Sequence, residues 1–461
     1  MAPDINSPSW VIAWACLAAF VLLRHARQGP NVGLLLTYIF IFGTLHWFAP
    51  VLHLLPWFSE FPGDLTAEGL RESTLALAGF VAGVELLTIA RRRMAADEEP
   101  AEQLDLGTTT RLVNIYLVAG VVLYAFTLFG GRLQFLAAVV STGSTLVAVS
   151  VGLKCWLEQK SGRIGQSWLW LAVAGLFPLL TLIAQGFLGY GFVAVLIVAS
   201  FVASQQPSRW KTALAGVFLI YFGLSIYVTY MRDRTDIRDV VWGGQAFDAR
   251  FDQLASTFRS VEWFDPWDLD HLYRVDRRLN QDHLIGSAVV FLREGSAEYA
   301  NGSTLVDAVV ALVPRALWPD KPIVGGSGDL VTNYTGIRFA YGTSVGVGQV
   351  MELHINFGTP GVVIGFAVLG LLVALIDRRA AGSLARGDIR SFALWYMPGL
   401  SLLQLGGSLA EVTATAAASM VLILAISSVV PTPVAVESET DEETADDEKE
   451  PKFHRRPEVV S

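Results

Sequence analysis

TPGVVIGFAVLGLLVALI, residues 359–376, holds eighteen residues and no charged side chain. As a helix rising 1.5 Å per residue it is about 27 Å long, close to the roughly 30 Å hydrocarbon core of a bilayer. Thr359 followed by Pro360 supplies an N-cap and a first-turn residue, so a helix is predicted to start there. Similar runs fill most of the chain: residues 9–24, 31–50, 70–90, 112–130, 133–155, 166–184, 187–204, 211–230, 391–407 and 410–430. Of the 461 residues 53% are hydrophobic and 16% charged, whereas soluble domains carry about a quarter charged residues. The expected fold class is an all-α integral membrane protein of about eleven transmembrane helices.

Basic residues sort the connections. Arg24 and Arg27, Arg91 to Arg93, Lys154, Lys160 and Arg163, Arg209 and Lys211, and Arg378, Arg379, Arg386 and Arg390 fall in one alternating set. The other short connections hold almost none beyond Arg71 and Arg132. The positive-inside rule makes the first set cytoplasmic. The N-terminus is then expected outside and the C-terminus inside. Four regions follow: eight helices in 1–230, a large outer loop in 231–358, three helices in 359–430, and a tail in 431–461. The net charge of −9 comes mostly from that tail, where ESETDEETADDEKE at 437–450 holds nine acids and one lysine; it is expected to be disordered and solvated. The rest is near neutral, which leaves no nucleic-acid footprint. Arg24 and Arg27 follow the first apolar run and no basic region precedes it, so a cleavable signal is not expected. Cys16 and Cys155 belong at different membrane depths, so no disulfide is expected between them. Neither reaches the outer loop, which excludes a membrane cysteine protease.

The outer loop is too long to be structureless in a compact protein. Phe247, Phe251, Leu254 and Phe258 repeat at 4-3-4 spacing and predict an amphipathic helix. Residues 304–313 predict another, opened by Ser303 or Thr304 with Asp307 in its first turn and stopped by Pro314. The loop concentrates polar chemistry between PRALWPDKP (314–322) and GQVMELHINFG (348–358). Its eleven arginines and Lys321 offer planar or point cations for phosphate, although acids outnumber them. Arg232, Arg234 and Arg238 follow the eighth run; Arg315 and Lys321 flank Trp318-Pro319; Arg338 follows a glycine-rich stretch that is either a lid or a plain linker. Gln349, Glu352 and Asn356 would share one helical face at i, i+3 and i+7. A carboxylate there can take a proton from an attacking hydroxyl, or simply cap the helix entrance. His354 reads equally as a packed side chain. Asp268, Asp270 and His271 resemble a hard-cation set, but so short a motif arises easily by chance, and no metal is assigned. Glu85, inside the third run, reads as functional or as a partner of Arg91.

The order PR-x-x-W-P-D-K-P, glycine-rich stretch, glutamate, then N-F-G-x-x-G opening a membrane helix resembles the O-antigen polymerase (Wzy-type) family of oligosaccharide repeat unit polymerases. The matching positions are Pro314, Arg315, Trp318, Pro319, Lys321, Pro322, Glu352, Phe357, Gly358 and Gly361, with Arg232 and Arg234 similarly placed. At motif level the likeness covers residues 300–365. It implies a GT-C-like helix bundle in a bacterial inner membrane that needs no cofactor. Such an enzyme joins undecaprenyl-diphosphate-linked oligosaccharides into a surface polysaccharide such as O-antigen, capsule or exopolysaccharide. Arg315, Glu352 and His354 would be catalytic; Arg232, Arg234, Lys321, Arg338, Asn356, Trp318 and Tyr341 would bind substrate. The bilayer, a flippase and a chain-length regulator are the implied partners. An O-antigen ligase of similar fold is the nearest rival. A lipid-linked sugar transporter is a rival of another class, disfavoured by the scarcity of mid-span charges.

Overall fold

The computed structural model describes residues 7–27, 29–58, 63–93, 105–129, 142–206, 209–313, 318, 320–321, 326–339 and 345–429. It is all-helical, with no strand among the described residues. The first part comprises α1 (Ser7–Ala26), α2 (Leu34–His46), α3 (Phe48–Leu52), α4 (Gly63–Arg93), α5 (Leu106–Phe129), α6 (Gly143–Lys160), α7 (Ile164–Ala174), α8 (Phe177–Gln185), α9 (Leu188–Ser204) and α10 (Arg209–Arg232). Short helices follow: α11 (Arg234–Trp242), α12 (Phe247–Arg259), α13 (Leu269–Leu279), α14 (Gln281–Arg293), α15 (Ser303–Ala311) and α16 (Ser327–Thr335). The chain closes with α17 (Gln349–Ala385), α18 (Ile389–Leu400) and α19 (Leu409–Val429).

Seven segments among the described residues are long and apolar enough to cross a membrane: α1, α4, α5, the α7–α8 pair, α10, α17 and α19. The chain is therefore a multi-pass membrane protein, with fewer clear crossings than the eleven expected. The four remaining runs hold shorter or more charged helices. α2 has 13 residues and α9 has 17; α18 has 12; α6 carries Lys154, Glu158 and Lys160. The acidic tail and residues 130–141 lie outside the described residues.

α4 is the hub of the bundle. Of its apolar window 56% is buried, against 17% for α10 at the rim. A Cβ at Gly83 would collide with the α17 backbone at Ala367, and one at Gly370 of α17 with the α4 backbone at Phe80. Such small residues let membrane helices approach closely where no hydrophobic force drives them together.

Buried carboxylates pin the ends of this bundle. At one end Asp377 of α17 accepts the backbone N–H groups of Val32 and Leu34, at 3.2 and 2.9 Å, and meets His25 Nε2 at 2.6 Å. Those bonds satisfy the orphan donors at the start of α2. At the other end Asp282 of α14 meets His46 Nδ1 at 2.8 Å and Ser73 Oγ at 3.4 Å. Asp276 of α13 meets His53 Nε2 at 2.8 Å and Asn280 Nδ2 at 2.9 Å. These pairs dock α13 and α14 onto α2, α3 and α4, so part of the long loop is built into the bundle. Glu85 is paired with Arg24 of α1 at 2.5 Å, where the sequence suggested Arg91.

The helix predicted from the phenylalanine repeat is α12, yet only Leu254 and Phe258 pack inward, with Phe247 and Phe251 exposed. α15 starts one residue before the predicted 304, and its cap is Gly302 at φ 90° with no side-chain hydrogen bond. Thr304 is occupied otherwise, accepting a hydrogen bond from Asn356.

Candidate functional site

α17 is two helices meeting at a break. Pro360 has no N–H, and its ring would clash with the carbonyl of Asn356 in a continuous helix. The chain therefore leaves helical geometry at Phe357 (φ −140°, ψ 16°) and Gly358 (φ 62°, ψ −162°). The positive φ suits glycine alone among common residues. The second segment restarts at Thr359-Pro360, as the sequence suggested. Thr359 Oγ1 does not cap it, however, but donates to Glu72 Oε1 of α4 at 2.8 Å.

A second chain segment closes on this break. Asn356 Oδ1 accepts from Gly302 N at 2.8 Å, and its Nδ2 donates to Thr304 Oγ1 at 2.7 Å. Ala300 N donates to Ile355 O at 2.9 Å. The bonds hold Asn301 at φ 49°, the one positive φ outside glycine among the described residues. Asparagine tolerates that region better than most residues.

Between the break, this clip, α4 and α14 lies a cleft of about 590 Å³. Arg71, Glu72, Arg293, Tyr299, Asn301, His354, Asn356 and residues 357–360 line it. His354 Nδ1 meets Glu72 Oε2 at 3.1 Å. A buried carboxylate on Nδ1 fixes the tautomer and leaves Nε2 as the working nitrogen. Glu72 is almost fully buried, with 1% of its side chain exposed. Arg71 lies 3.8 Å from both Glu68 and Glu72, distances that hold charge together without spending its donors. Arg293 is anchored to Glu68 at 2.9 Å with half its side chain exposed. The restart of a long helix beside two guanidinium groups favours an anion, since free backbone N–H groups and the helix dipole point the same way.

The expected site residues divide around this cleft. His354 and Asn356 line it. Glu352 sits one layer behind, 1% exposed, with Oε2 accepting from Leu409 N at 2.6 Å. The face shared by Gln349, Glu352 and Asn356 is turned into the protein: Gln349 accepts from the Tyr38 hydroxyl at 3.0 Å and donates to Leu402 O at 3.2 Å. Lys321 Nζ donates to Ala311 O and Val313 O at 3.2 and 3.0 Å, capping the end of α15. Trp318 and Arg338 are exposed and do not line the cleft. Arg232 is spent within its own fold, on Asp233, Glu262, Thr257 O and Ser260. Arg234 opens α11 two residues on and does not line the cleft. Arg315 and Tyr341 lie outside the described residues. Asp268 is the N-cap of α13, accepting from Asp270 N and His271 N, and His271 stacks on Phe264, so that motif is used in folding.

Sequence reading missed Arg71, Glu72 and Arg293. A signal existed for Glu72: it falls within an apolar run, and ionisable residues inside membrane segments are functional candidates by default. Arg293 was only one of the eleven loop arginines, with nothing in the sequence to single it out.

No curated protein and no solved structure matches the chain. One family model does match, over residues 59–430, a range that takes in the cleft and every helix from α4 to α19. The chain belongs to that family, described as Domain of unknown function (DUF8712).

Proposed function

We propose that the protein is a glycosyltransferase that polymerises lipid-diphosphate-linked oligosaccharide repeat units at the outer face of a bacterial inner membrane. The observation that carries the reading is the cleft at the α17 break. It combines two arginines, a helix start and a carboxylate-backed imidazole beside membrane-grade helices.

The donor diphosphate lies against Arg71, Arg293 and the start of the second α17 segment. His354 Nε2 faces the acceptor sugar. The acceptor hydroxyl attacks the anomeric carbon of the donor as His354 takes its proton. The bond from that carbon to the diphosphate oxygen breaks, and lipid diphosphate leaves with the electron pair. Fixed guanidinium groups stabilise the charge that grows on the leaving oxygens. Glu72 holds the imidazole in its tautomer and stabilises the imidazolium that forms. Asn301 and Tyr299 are available to hold sugar hydroxyls. The motif likeness across residues 300–365 supports the substrate class. The roles first expected of Arg315 and Glu352 pass in this reading to Arg71, Arg293 and His354.

The test is incubation of purified protein with lipid-diphosphate-linked repeat units, followed by gel separation. A ladder of lengthening lipid-linked chains is expected, and an Arg71→Gln/Arg293→Gln variant is expected to lose it. A single transfer to a lipid A core acceptor, without a ladder, would identify a ligase instead. No transfer to either acceptor, with the protein folded, rejects the reading.

A further inference from the structure

A second cleft, of about 410 Å³, opens where α10 ends. Met231, Asp270, Tyr273, Arg274, Arg277 and Arg278 line it. It shares no lining residue with the cleft at the α17 break. From this cleft we infer a binding site for the phosphate of an anionic membrane-lipid headgroup, formed by Arg278 and Arg234 with Arg274 and Arg277 around them.

Charge is the first argument. Three guanidinium groups and one carboxylate line the cleft; Arg274 is paired with Glu262 and Arg277 is also engaged, which leaves Arg278, with Arg234 within its electrostatic reach. The nearby acids are committed elsewhere. Glu262 takes Arg232 and Arg274, at 3.0 and 2.7 Å. Asp233 takes Arg232 at 2.7 Å. Asp276 takes His53, and Asp268 caps α13. Among the described residues no carboxylate lies within ion-pair distance of Arg234 or Arg278. Burial, and then the like charge of Arg234, lower the Arg278 pKa from its ordinary value. Arg278 in the cleft wall and Arg234, three residues beyond Met231 of that wall, carry like charge, and a phosphate can accept from a guanidinium fork.

Depth is the second argument, and it selects the source of the phosphate. The cleft begins at Met231, in the last turn of a rim helix whose apolar window is 17% buried. The segment that leads into α13 carries exposed aromatic rings stacked in pairs: Trp263 on Tyr221 of α10 and Trp267 on Trp57. Trp and Tyr gather at the headgroup level of membranes, where one end of the ring is wet. The cleft opens at the end of α10, a helix long and apolar enough to span, and a phosphate bound there is within reach of the lipid headgroups.

The experiment uses the full chain, purified and reconstituted in nanodiscs of equal parts phosphatidylglycerol and phosphatidylcholine. Lipids retained on re-extraction into detergent are counted by mass spectrometry. The parent is expected to retain phosphatidylglycerol preferentially, and Arg234→Gln/Arg278→Gln to lose at least fivefold of that preference. Arg259→Gln, exposed on α12 and away from the cleft, is the control and retains it. Arg278→Gln alone has a second expected effect that a merely structural arginine would not produce. In phosphatidylcholine alone it raises the thermal midpoint by relieving repulsion, and in phosphatidylglycerol it does not. Twenty-millimolar inorganic phosphate is expected to leave retention unchanged; displacement at that concentration would assign the site to soluble phosphate and overturn the lipid assignment. Equal retention by parent and double variant overturns the site altogether. The readout involves no glycosyl transfer, so its failure and that of the transferase reading are distinct.

Discussion

His354 and Glu352 stand two residues apart and on opposite sides of α17, which makes them a controlled pair. His354 lines the cleft with Glu72 behind it, while Glu352 is walled in against Leu409 N. On the transferase reading His354→Gln removes the proton acceptor and is expected to slow chain growth by about 10² to 10⁴, the usual worth of a general base. Glu72→Gln, which leaves the imidazole without its charged partner, is expected to slow it less. Glu352→Gln keeps an oxygen for Leu409 N–H, so activity within about threefold of the parent is expected. Glu352→Ala orphans that donor and should cost about 1–3 kcal/mol of stability at unchanged turnover of the folded fraction. Turnover of the variants on lipid-linked repeats, with thermal melts alongside, checks all four; a rate lost in Glu352→Gln and kept in His354→Gln would restore the sequence assignment. The sequence made His354 and Asn356 visible because they are polar letters next to an apolar run. It hid Arg71 and Arg293 because a cleft joins residues hundreds of positions apart, and only packing of α4 and α14 against α17 brings them together. It also left open which face of the 349–356 helix turns inward.

Elements are held here by buried polar contacts at helix ends, and two of them give predictions. Asp377 alone satisfies Val32 N, Leu34 N and His25 at the start of α2. Asp377→Ala leaves all three without a partner in a dry site, and losing one side of such a cluster costs about 3–5 kcal/mol. A lowered thermal midpoint is expected, with Asp377→Asn milder because one amide oxygen still accepts. The second prediction concerns the knot that joins the end of α10 to α13. Burial alone would raise the pKa of Glu262, but hydrogen bonds from Arg232 and Arg274 outweigh it and leave it below the ordinary carboxylate value. Asp233 is lowered likewise, by its bond from Arg232. A carboxylate whose folded pKa is depressed stabilises fully above its unfolded value, about 4, and loses that contribution as pH falls through the folded value. Acidification below about pH 4 is therefore expected to loosen α11 to α13 before the bundle, seen as faster amide exchange in residues 233–279. Glu262→Gln should abolish most of the acid step. Neither contact was legible beforehand: nothing singled out Asp377, which follows the 359–376 run, and Arg232 read as a phosphate ligand. Both are sequestered by partners that tertiary structure supplies.

At the scale of the molecule the helical, multi-pass architecture was legible from apolar runs alone, because a bilayer forces backbone groups to bond within each segment. The number of crossings was less so, since α2, α9 and α18 are short and α6 carries charge. The difference has a measurable consequence at Ser161, between α6 and α7. If only the seven clear spans cross, the α7–α8 pair and α10 separate Ser161 from the loop residue Ser296, and the two share a side. If α9 crosses as well, three crossings separate them and they lie on opposite sides. Helix length favours the second case: α9 has 17 residues, about 26 Å at 1.5 Å per residue and at the lower end of the spanning range. Its link to α10 covers only residues 205–208, so the two run as neighbours, and α10 is long and apolar enough to cross. Charge agrees, since Lys154, Lys160 and Arg163 near Ser161 and Lys211 at the start of α10 would then all be cytoplasmic. Single cysteines placed at 161, 296 and 386 in a Cys16→Ala/Cys155→Ala background decide it. With a membrane-impermeant maleimide on intact spheroplasts, Ser296→Cys is expected to label at once. Ser161→Cys and Arg386→Cys should label only after permeabilisation. Labelling of Ser161→Cys together with Ser296→Cys on intact cells would leave α9 as a helix that enters the bundle without crossing it.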